Sequence, residues 1–279
     1  MAKLSAWLLS LIITIGVHHS AMGQIAFTSD SCLRQEWKDG VTNSLFKLYY
    51  PGKEWQLYCD SILKICPEYD YIWQMKAMPS IKMGIYEVAF SSLKQACRIN
   101  PVKQIPYQAF LKCTFAKDYQ GALKDFEQAE QLVREGGIMD HSFSFYRGLC
   151  YLGLERPELA IEHFESDIKA QTKRTGAGNE HYNSLFYLGL SYLLAHDLPK
   201  AEKYLRASIK AYSKFPEPNF YMGKLLAEQN RSLEAKEYFT KAKEYIIGGA
   251  NMNEDNTMYV DYPFQIGLSD IKVELSKIP

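Results

Sequence analysis

The sequence predicts an all-α protein, an α-solenoid in which helical hairpins follow one another along the chain. The main evidence is a set of small and bulky residues that recurs after 34 residues. Its members are first Gly189, Tyr192, Ala201, Leu205 and Ser208, and then Gly223, Leu226, Ala235, Phe239 and Ala242. A period of this length is typical of helical repeat arrays, in which each hairpin buries its apolar face against its neighbours. Such arrays usually hold other molecules, so the pattern favours a binding function.

Residues 1–23 are predicted to be a cleaved signal peptide and not part of the fold. Lys3 gives a positive start, residues 8–17 are apolar but too few to span a bilayer comfortably, and residues 21–23 form a small-x-small cleavage site. The mature chain is therefore expected to begin near Gln24 and to be exported, either periplasmic or secreted. A retained N-terminal membrane anchor is the alternative. A bacterial lipoprotein is not expected, because Cys32 lies well past the cleavage site.

The charge balance argues against nucleic acid and membrane surfaces as partners. The chain carries 32 basic and 32 acidic residues, so nothing predicts the basic face that phosphate backbones or anionic lipids require. Hydrophobic residues make up 47% of the chain, which is enough for one large core. The 20 tyrosines exceed the needs of an ordinary domain, and many are expected on half-exposed surface.

The six cysteines allow disulfides in an exported protein, but their pattern does not require them. Cys59, Cys66, Cys97, Cys113 and Cys150 fall in predicted helices, mostly beside apolar neighbours. The simpler expectation is buried free thiols that pack as small hydrophobic residues. No Cys-x-x-Cys or Cys/His spacing predicts a zinc site, and no cofactor is expected.

The repeat resembles the tetratricopeptide repeat (TPR) family, whose pattern runs roughly W-x2-L-G-x2-Y, then A-x3-F-x2-A, then P. Residues 185–192 and 201–208 fit this pattern closely. The resemblance implies a right-handed α-solenoid with a concave inner wall, and a protein or peptide partner. Gly189 and Ala201 are expected where the paired helices touch, because only small side chains allow a close approach.

The same pattern continues backwards, which gives about six hairpins over residues 24–249. One earlier repeat is marked by Gly148, Tyr151, Ala160 and Phe164, and the polar loop 171–181 absorbs its extra length. Two further repeats are marked by Ala122, Phe126 and Ala129, and by Trp73, Ala77, Ala89, Leu93, Ala96 and Pro101. A degenerate repeat spans about residues 36–69. Phe110 and Arg147 depart from the family pattern, so looser or shifted helix packing is expected there.

Residues 250–279 are predicted to form a polar loop and a C-terminal capping helix. Gly248 and Gly249 end the last repeat, and a helix is expected to start at Pro263. Apolar residues recur along it with 4-3-4-3 spacing, at Phe264, Leu268, Ile271, Leu275 and Ile278. Because a terminal repeat exposes an apolar face, this stripe is expected to cover the last hairpin.

The candidate partner-binding residues are aromatic pairs at equivalent positions of successive repeats. The pairs are Phe145 with Tyr146, Phe186 with Tyr187, and Phe220 with Tyr221, and Tyr107 extends the row. The TPR resemblance places them on or near the concave wall. The phenylalanines are alternatively core residues, whereas the tyrosines, with a hydroxyl to keep hydrated, are the better binding candidates.

TPR co-chaperones grip the carboxylate end of chaperone tails with Asn and Lys or Arg from their first helices. Here tyrosines stand at the usual Asn positions, although Asn183 remains one helical turn earlier than Tyr187. An apolar or aromatic peptide, or the groove-filling tail of another subunit, fits this wall better than a carboxylate terminus.

The sequence predicts a scaffold or adaptor of the cell envelope without catalysis. The motifs HExxH, GK[ST] and GxSxG do not occur. The alternative is a hydrolase or sugar-processing helical enzyme, which two carboxylates facing each other across an open cleft would support. A metal site built from Asp140, His141, Glu180 and His181 is conceivable because both loops enter successive repeats from the same edge, but ordinary solvated loop polarity is the preferred interpretation.

Overall fold

The computed structural model describes Cys32 and residues 34–50, 52–252, 254 and 256–278. The predicted signal peptide and the cleavage position near Gln24 lie outside these residues. Over the described part, the chain consists of α-helices, one two-stranded sheet and short connections. The predicted all-α class is therefore confirmed.

The helices pack in consecutive pairs. The pairs are α1 (Gln35–Leu45) with α2 (Lys53–Ile65), α3 (Asp70–Lys82) with α4 (Tyr86–Ile99), α5 (Pro101–Leu111) with α6 (Tyr119–Leu132), α7 (Phe143–Gly153) with α8 (Pro157–Thr175), α9 (Tyr182–Leu194) with α10 (Leu198–Ala211), and α11 (Pro216–Glu228) with α12 (Ser232–Ile247). The second helix of each pair also contacts the first helix of the next pair, so the pairs form one continuous array. The right-handed sense of the array stays a prediction.

Side-chain caps fix where several helices begin. Asn100, Asp118, Ser142 and Asp197 each accept a hydrogen bond from a backbone N–H in the first turn of the helix that follows. These amide groups have no partner inside the helix, so a cap satisfies them locally. These four polar residues, each directly before a helix in the sequence, thus fix where that helix begins.

Glycine allows the paired helices to touch. A Cβ atom on Gly189 would lie 2.9 Å from the backbone nitrogen of Leu205, and one on Gly223 would lie 2.7 Å from the Phe239 ring. The opposite helix would have to shift to admit either atom, and close-packed interiors resist such shifts. The expected role of Gly189 is confirmed, and Ala201 is likewise fully buried at the contact.

Helix α5, in which Phe110 departs from the TPR pattern, ends in an irregular turn. A π-helical turn, Lys112–Ala116, extends α5 and stops at Lys117, which has a φ of 55°. Phe110 is buried, and its ring lies 5.5 Å from that of Tyr146 between centroids. Phe110 thus fills the space beside Tyr146, and the π-helical turn follows directly after its helix; looser or shifted packing of the helix pair stays a prediction.

A short hairpin that the sequence does not predict leads into α7. Its strands are β1 (Gly137–Ile138) and β2 (His141–Ser142), which pair antiparallel with Gly137 opposite Ser142. Met139 and Asp140 form the turn, both with a positive φ. The hairpin brings His141 to the N-terminal end of α7.

The expectation of free thiols is wrong for one pair of cysteines. Cys32 and Cys66 form a disulfide with Cα atoms 5.9 Å apart, which ties the chain shortly before α1 to the end of α2. The expectation holds for Cys59, Cys113 and Cys150, which are free and buried. The pairing depends on a tertiary approach of two distant residues, and a list of cysteine positions does not contain that information.

The C-terminal segment differs from the prediction in where its helix begins. The helix α13 (Leu268–Lys277) starts five residues after Pro263, because Phe264 has a φ of 61° and the Gly267 N–H donates to the Asp270 carboxylate at 2.7 Å. Ile271 is fully buried, and α13 packs on α12, so the capping role of this helix is confirmed. Residues 250–267, named the strap below, connect α12 to α13.

Candidate functional site

The first helix of each pair, from α3 to α11, contributes to one face of the array. On this face the Phe145 ring lies 5.8 Å from that of Tyr187, and the Phe186 ring lies 5.7 Å from that of Tyr221. The three predicted aromatic pairs therefore meet across neighbouring helices, in the order that their sequence spacing predicts.

These aromatic side chains are buried within the chain itself. The six are at most 8% exposed: Phe145, Tyr146, Phe186, Tyr187, Phe220 and Tyr221. On one side they pack on the second helices, since Tyr146 stacks on Phe126 and Tyr187 stacks on Phe164, with centroids 5.7 Å apart in both pairs. The expectation of half-exposed tyrosine rings is wrong at these positions, because the sequence does not show what lies over them.

The strap covers the aromatic row through its backbone. The Tyr187 hydroxyl donates to the carbonyl oxygen of Pro263 at 3.0 Å, and the Tyr221 hydroxyl donates to that of Phe264 at 3.1 Å. Burial raises the pKa of Tyr187 well above its usual value, so the hydroxyl keeps its proton as a donor. The tyrosines thus bind the carbonyl groups of a turn, closed by the hydrogen bond from the Gln265 N–H to the Tyr262 carbonyl oxygen, and this turn belongs to the same chain.

The strap is also held through a carboxylate. Glu254 lies 3.0 Å from His141 Nε2, and it accepts a hydrogen bond from Nδ2 of Asn183. Asn183 and His141 are both buried. Asn183, which the sequence singles out as a binding residue, therefore contacts a carboxylate, but that carboxylate is a side chain of the strap.

The contacts of the strap show its path across the face. After α12, Met252 of the strap contacts the Tyr187 hydroxyl, and Glu254 of the strap contacts His141. Farther along, Tyr259 of the strap reaches α3, where the Lys82 ammonium lies 4.0 Å from its ring centroid. The strap then returns through a hydrogen bond from Lys117 to the carbonyl oxygen of Asp261. The strap therefore covers the face over α7, α9 and α11 and borders the N-terminal part of the face through Asn256 and Tyr259.

A polar pocket of about 270 Å³ lies beside the strap, where the two loops of the conceivable metal site meet. Asp140, His141, His181 and Glu254 are among its lining residues, and the two imidazole rings are 5.0 Å apart between centroids. Burial, followed by the neighbouring His141, lowers the pKa of His181. Among the residues that the structure describes, no group of three or more His, Cys, Asp or Glu side chains is arranged to hold a metal ion.

Glu180, the remaining member of that predicted set, lies elsewhere. Its carboxylate accepts hydrogen bonds from the Thr172 hydroxyl at 2.7 Å and from the Gly178 N–H at 2.9 Å, which hold the loop after α8. The hydrogen bond from Thr172 lowers the pKa of Glu180. Glu180 therefore serves the structure of its own loop.

A second pocket, of about 390 Å³, remains between the N-terminal helices on the same face. Its walls are mainly apolar and come from α3, α5 and the segment after α1, with Tyr71, Met75, Met78 and Phe110 among the lining residues. Phe46 also lines this pocket and is 59% exposed, so the pocket opens to solvent beside its ring. We call it the apolar pocket.

Tyr107 is the one predicted binding residue that lines the apolar pocket. Its hydroxyl donates to Sδ of Met78 at 3.1 Å, and burial raises the pKa of Tyr107 to about 12. Most of the other lining residues come from the two repeats before α5, and the first of these is the degenerate repeat at residues 36–69. The signal that could have located the pocket is the aromatic pair Tyr50 and Trp55, since Trp55 stands where the repeat pattern has an alanine.

Two polar groups border the apolar pocket. The Tyr50 hydroxyl is buried and has no hydrogen-bond partner in the described part of the protein. The Lys82 ammonium lies 5.0 Å from the Tyr50 ring centroid, in addition to its contact with Tyr259. Lys82 is the charged residue among those that line this pocket.

Comparison with solved structures shows that the chain has the all-helical repeat fold of TPR proteins. It is 19% identical to MamA, residues 41 to the end, from Desulfovibrio magneticus RS-1, covering 64% of this chain and 96% of that one with a TM-score of 0.54. The type IV pilus biogenesis factor PilW is 20% identical over 64% of this chain and 78% of its own, with a TM-score of 0.53. YrrB, a TPR protein with an unusual peptide-binding site, is 15% identical over 67% of this chain and 91% of its own, with a TM-score of 0.50.

No protein-family model matches the chain, and no curated protein matches it in sequence. At these low sequence identities, the similarity to the solved structures shows the fold alone. Across the described residues, none of the helices combines the length and apolar character that a membrane crossing requires.

Proposed function

We propose that this protein is an exported, non-catalytic interaction module, a scaffold or adaptor of the cell envelope. It binds an apolar or aromatic peptide segment of a partner protein on the face of the first helices. The apolar pocket between α3 and α5 is the observation that carries this proposal. Its volume of about 390 Å³ lies in the range of pockets that take small ligands or single large side chains.

The strap supplies the model for how a partner segment binds. It lies on the same face, places the buried side chains of Met252 and Tyr262 against the array, and accepts hydrogen bonds from tyrosine hydroxyls through its backbone carbonyls. A partner segment in the adjoining pocket would use the same two kinds of contact. Backbone hydrogen bonds provide affinity and a side-chain pocket provides selectivity.

Two further observations support parts of the proposal. YrrB, whose fold this chain shares, is a TPR protein with a peptide-binding site. The disulfide between Cys32 and Cys66 fits an oxidising compartment, where exported proteins reside, and agrees with the predicted signal peptide. The MamA and PilW structures show the same fold in two further proteins.

Binding of short Gly/Ser-rich peptides that differ in one central residue tests the proposal. Peptides with central Phe, Trp or Leu are expected to bind the mature protein, and the peptide with Ser is not. Phe46→Ala should weaken binding roughly fivefold to tenfold, because the ring lines the pocket while its exposure keeps the cost to folding low. Fluorescence anisotropy with labelled peptides measures the affinities.

Tyr49→Ala is the matched control. Tyr49 is a neighbouring aromatic residue that is 77% exposed and does not line the pocket, so its loss should leave peptide affinity unchanged. If none of the apolar peptides binds, or if both variants weaken binding equally, the apolar pocket is not the peptide site.

A further inference from the structure

The Tyr50 hydroxyl is a hydrogen-bond donor without an acceptor. It is buried at the apolar pocket, and the described residues offer it no partner. Burying a hydroxyl without a hydrogen bond costs free energy, whereas Tyr187 and Tyr221 on the same face each donate to a strap carbonyl. An acceptor oxygen supplied from outside the chain would give Tyr50 the contact that its two counterparts have.

Lys82 adds a positive charge at the same place. Its ammonium lies over the rings of Tyr50 and Tyr259, at 5.0 and 4.0 Å from their centroids, and no carboxylate of the described chain lies within salt-bridge distance of it. Aromatic faces attract a cation but leave its charge uncompensated. Acidic residues do not occur among those lining the pocket, so this edge favours an anionic group.

The strap shows how this face holds an acidic residue next to an apolar one. Met252 is fully buried against the array, and two residues later the Glu254 carboxylate contacts His141 and Asn183. The strap thus presents an apolar anchor and a carboxylate close together in sequence. The apolar pocket and its two donors, Tyr50 and Lys82, offer the same combination to a second segment.

We propose that the partner segment carries an Asp or Glu side chain beside its bulky apolar residue. The apolar side chain enters the pocket between α3 and α5, and the carboxylate accepts a hydrogen bond from the Tyr50 hydroxyl and pairs with Lys82. This inference rests on the proposed function, since it names the class of peptide that the same pocket takes.

Three peptides test this proposal, identical except that the residue beside a central Phe is Asp, Asn or Lys. The Asp peptide should bind the mature protein about fivefold more tightly than the Asn peptide, and the Lys peptide should bind most weakly. Added salt should reduce the preference for Asp, because it screens the pair of charges. Fluorescence anisotropy at low and high salt gives the three affinities.

Variants of the two donors locate the recognition. Lys82→Met should abolish the preference for Asp over Asn, and Tyr50→Phe should reduce it, because the lost hydrogen bond weakens the Asp peptide more than the Asn peptide. Lys38→Met is the matched control, because the Lys38 ammonium lies 5.4 Å from the Tyr69 ring centroid, away from the pocket, and the preference should persist. Thermal melting of each variant verifies that it is folded.

The outcomes separate this inference from the proposed function. Equal affinity for the three peptides, a preference for Lys, or a preference for Asp that survives Lys82→Met would each overturn the acidic preference, while the apolar site would stand. If none of the three peptides binds the wild-type protein, the proposed function itself fails.

Discussion

Glu217 in α11 lies under the end of the strap, and its burial predicts that the stability of the protein depends on pH. Its side chain is 1% exposed, and burial raises the pKa of its carboxyl group from 4.5 to about 7. Hydrogen bonds from its own backbone N–H and from the N–H of Ile266 in the strap act in the opposite direction. Its Oε2 atom has no further partner among the described residues.

The sign and size of the effect follow from proton binding. The folded protein binds the proton of the Glu217 carboxyl group more tightly than the unfolded chain does. The stabilisation that this proton gives the folded state is therefore complete below about pH 4.5 and is lost as the pH rises through 7. The difference between the two pKa values corresponds to about 3 kcal/mol, at about 1.4 kcal/mol for each pKa unit. Glu217→Gln removes the charge and keeps the shape, so it should stabilise the protein by up to about 3 kcal/mol near pH 8 and by little near pH 5.

Urea unfolding at both pH values measures this difference, and hydrogen exchange of the strap amides shows where it acts. In the wild-type protein, protection near Ile266 should fall as the pH rises, after correction for the intrinsic exchange rate. Glu228→Gln is the control, since Glu228 lies on the same helix and is exposed. Equal stabilisation by Glu217→Gln at both pH values, or the same gain from Glu228→Gln, would refute the assignment of a buried ionisable group here.

Three further predictions concern the strap, the disulfide and export. Tyr187→Phe removes the hydroxyl that donates to the Pro263 carbonyl oxygen, so it should lower the free energy of unfolding in urea by about 1 kcal/mol and raise the hydrogen-exchange rate of the strap amides. Unchanged exchange of these amides would contradict this role of Tyr187. Reduction of the disulfide between Cys32 and Cys66 should destabilise the folded protein by roughly 3 kcal/mol, as expected for a loop of this size, and equal melting with and without reductant would argue against it. N-terminal sequencing should find Gln24 near the start of the mature protein in the detergent-free fraction, whereas full-length protein only in membranes would support the anchor.

The helical pairs could be predicted from the sequence because their information is local. Each hairpin is specified by small residues at the helix contact, such as Gly189, Gly223 and Ala201, and by polar residues that cap the helices. The same local pattern correctly brings the aromatic pairs together on one face, since equal spacing along a repeat becomes equal position in space. These features need no knowledge of distant segments.

The candidate site could not be predicted in the same way, because it depends on contacts between distant parts of the chain. The strap reaches from beyond α12 to Lys82, and no period or motif in residues 250–267 indicates that path. The buried state of Tyr187 follows from the strap, which covers the aromatic row and leaves the apolar pocket at the N-terminal repeats open. The apolar pocket is lined in part by the degenerate first repeat, where Trp55 stands in place of the expected alanine.

The position of the strap explains why a partner would bind at the N-terminal part of the face. Entry over α9 and α11 would require the removal of Met252 and Tyr262 from their buried sites, and each large apolar side chain exposed costs roughly 1.5 to 3 kcal/mol. Entry at the apolar pocket requires no such displacement, since Phe46 already leaves it open to solvent. A partner of moderate affinity therefore gains more from the pocket between α3 and α5. The strap, with Tyr259 beside Lys82, would then form one edge of the surface that the proposed partner contacts.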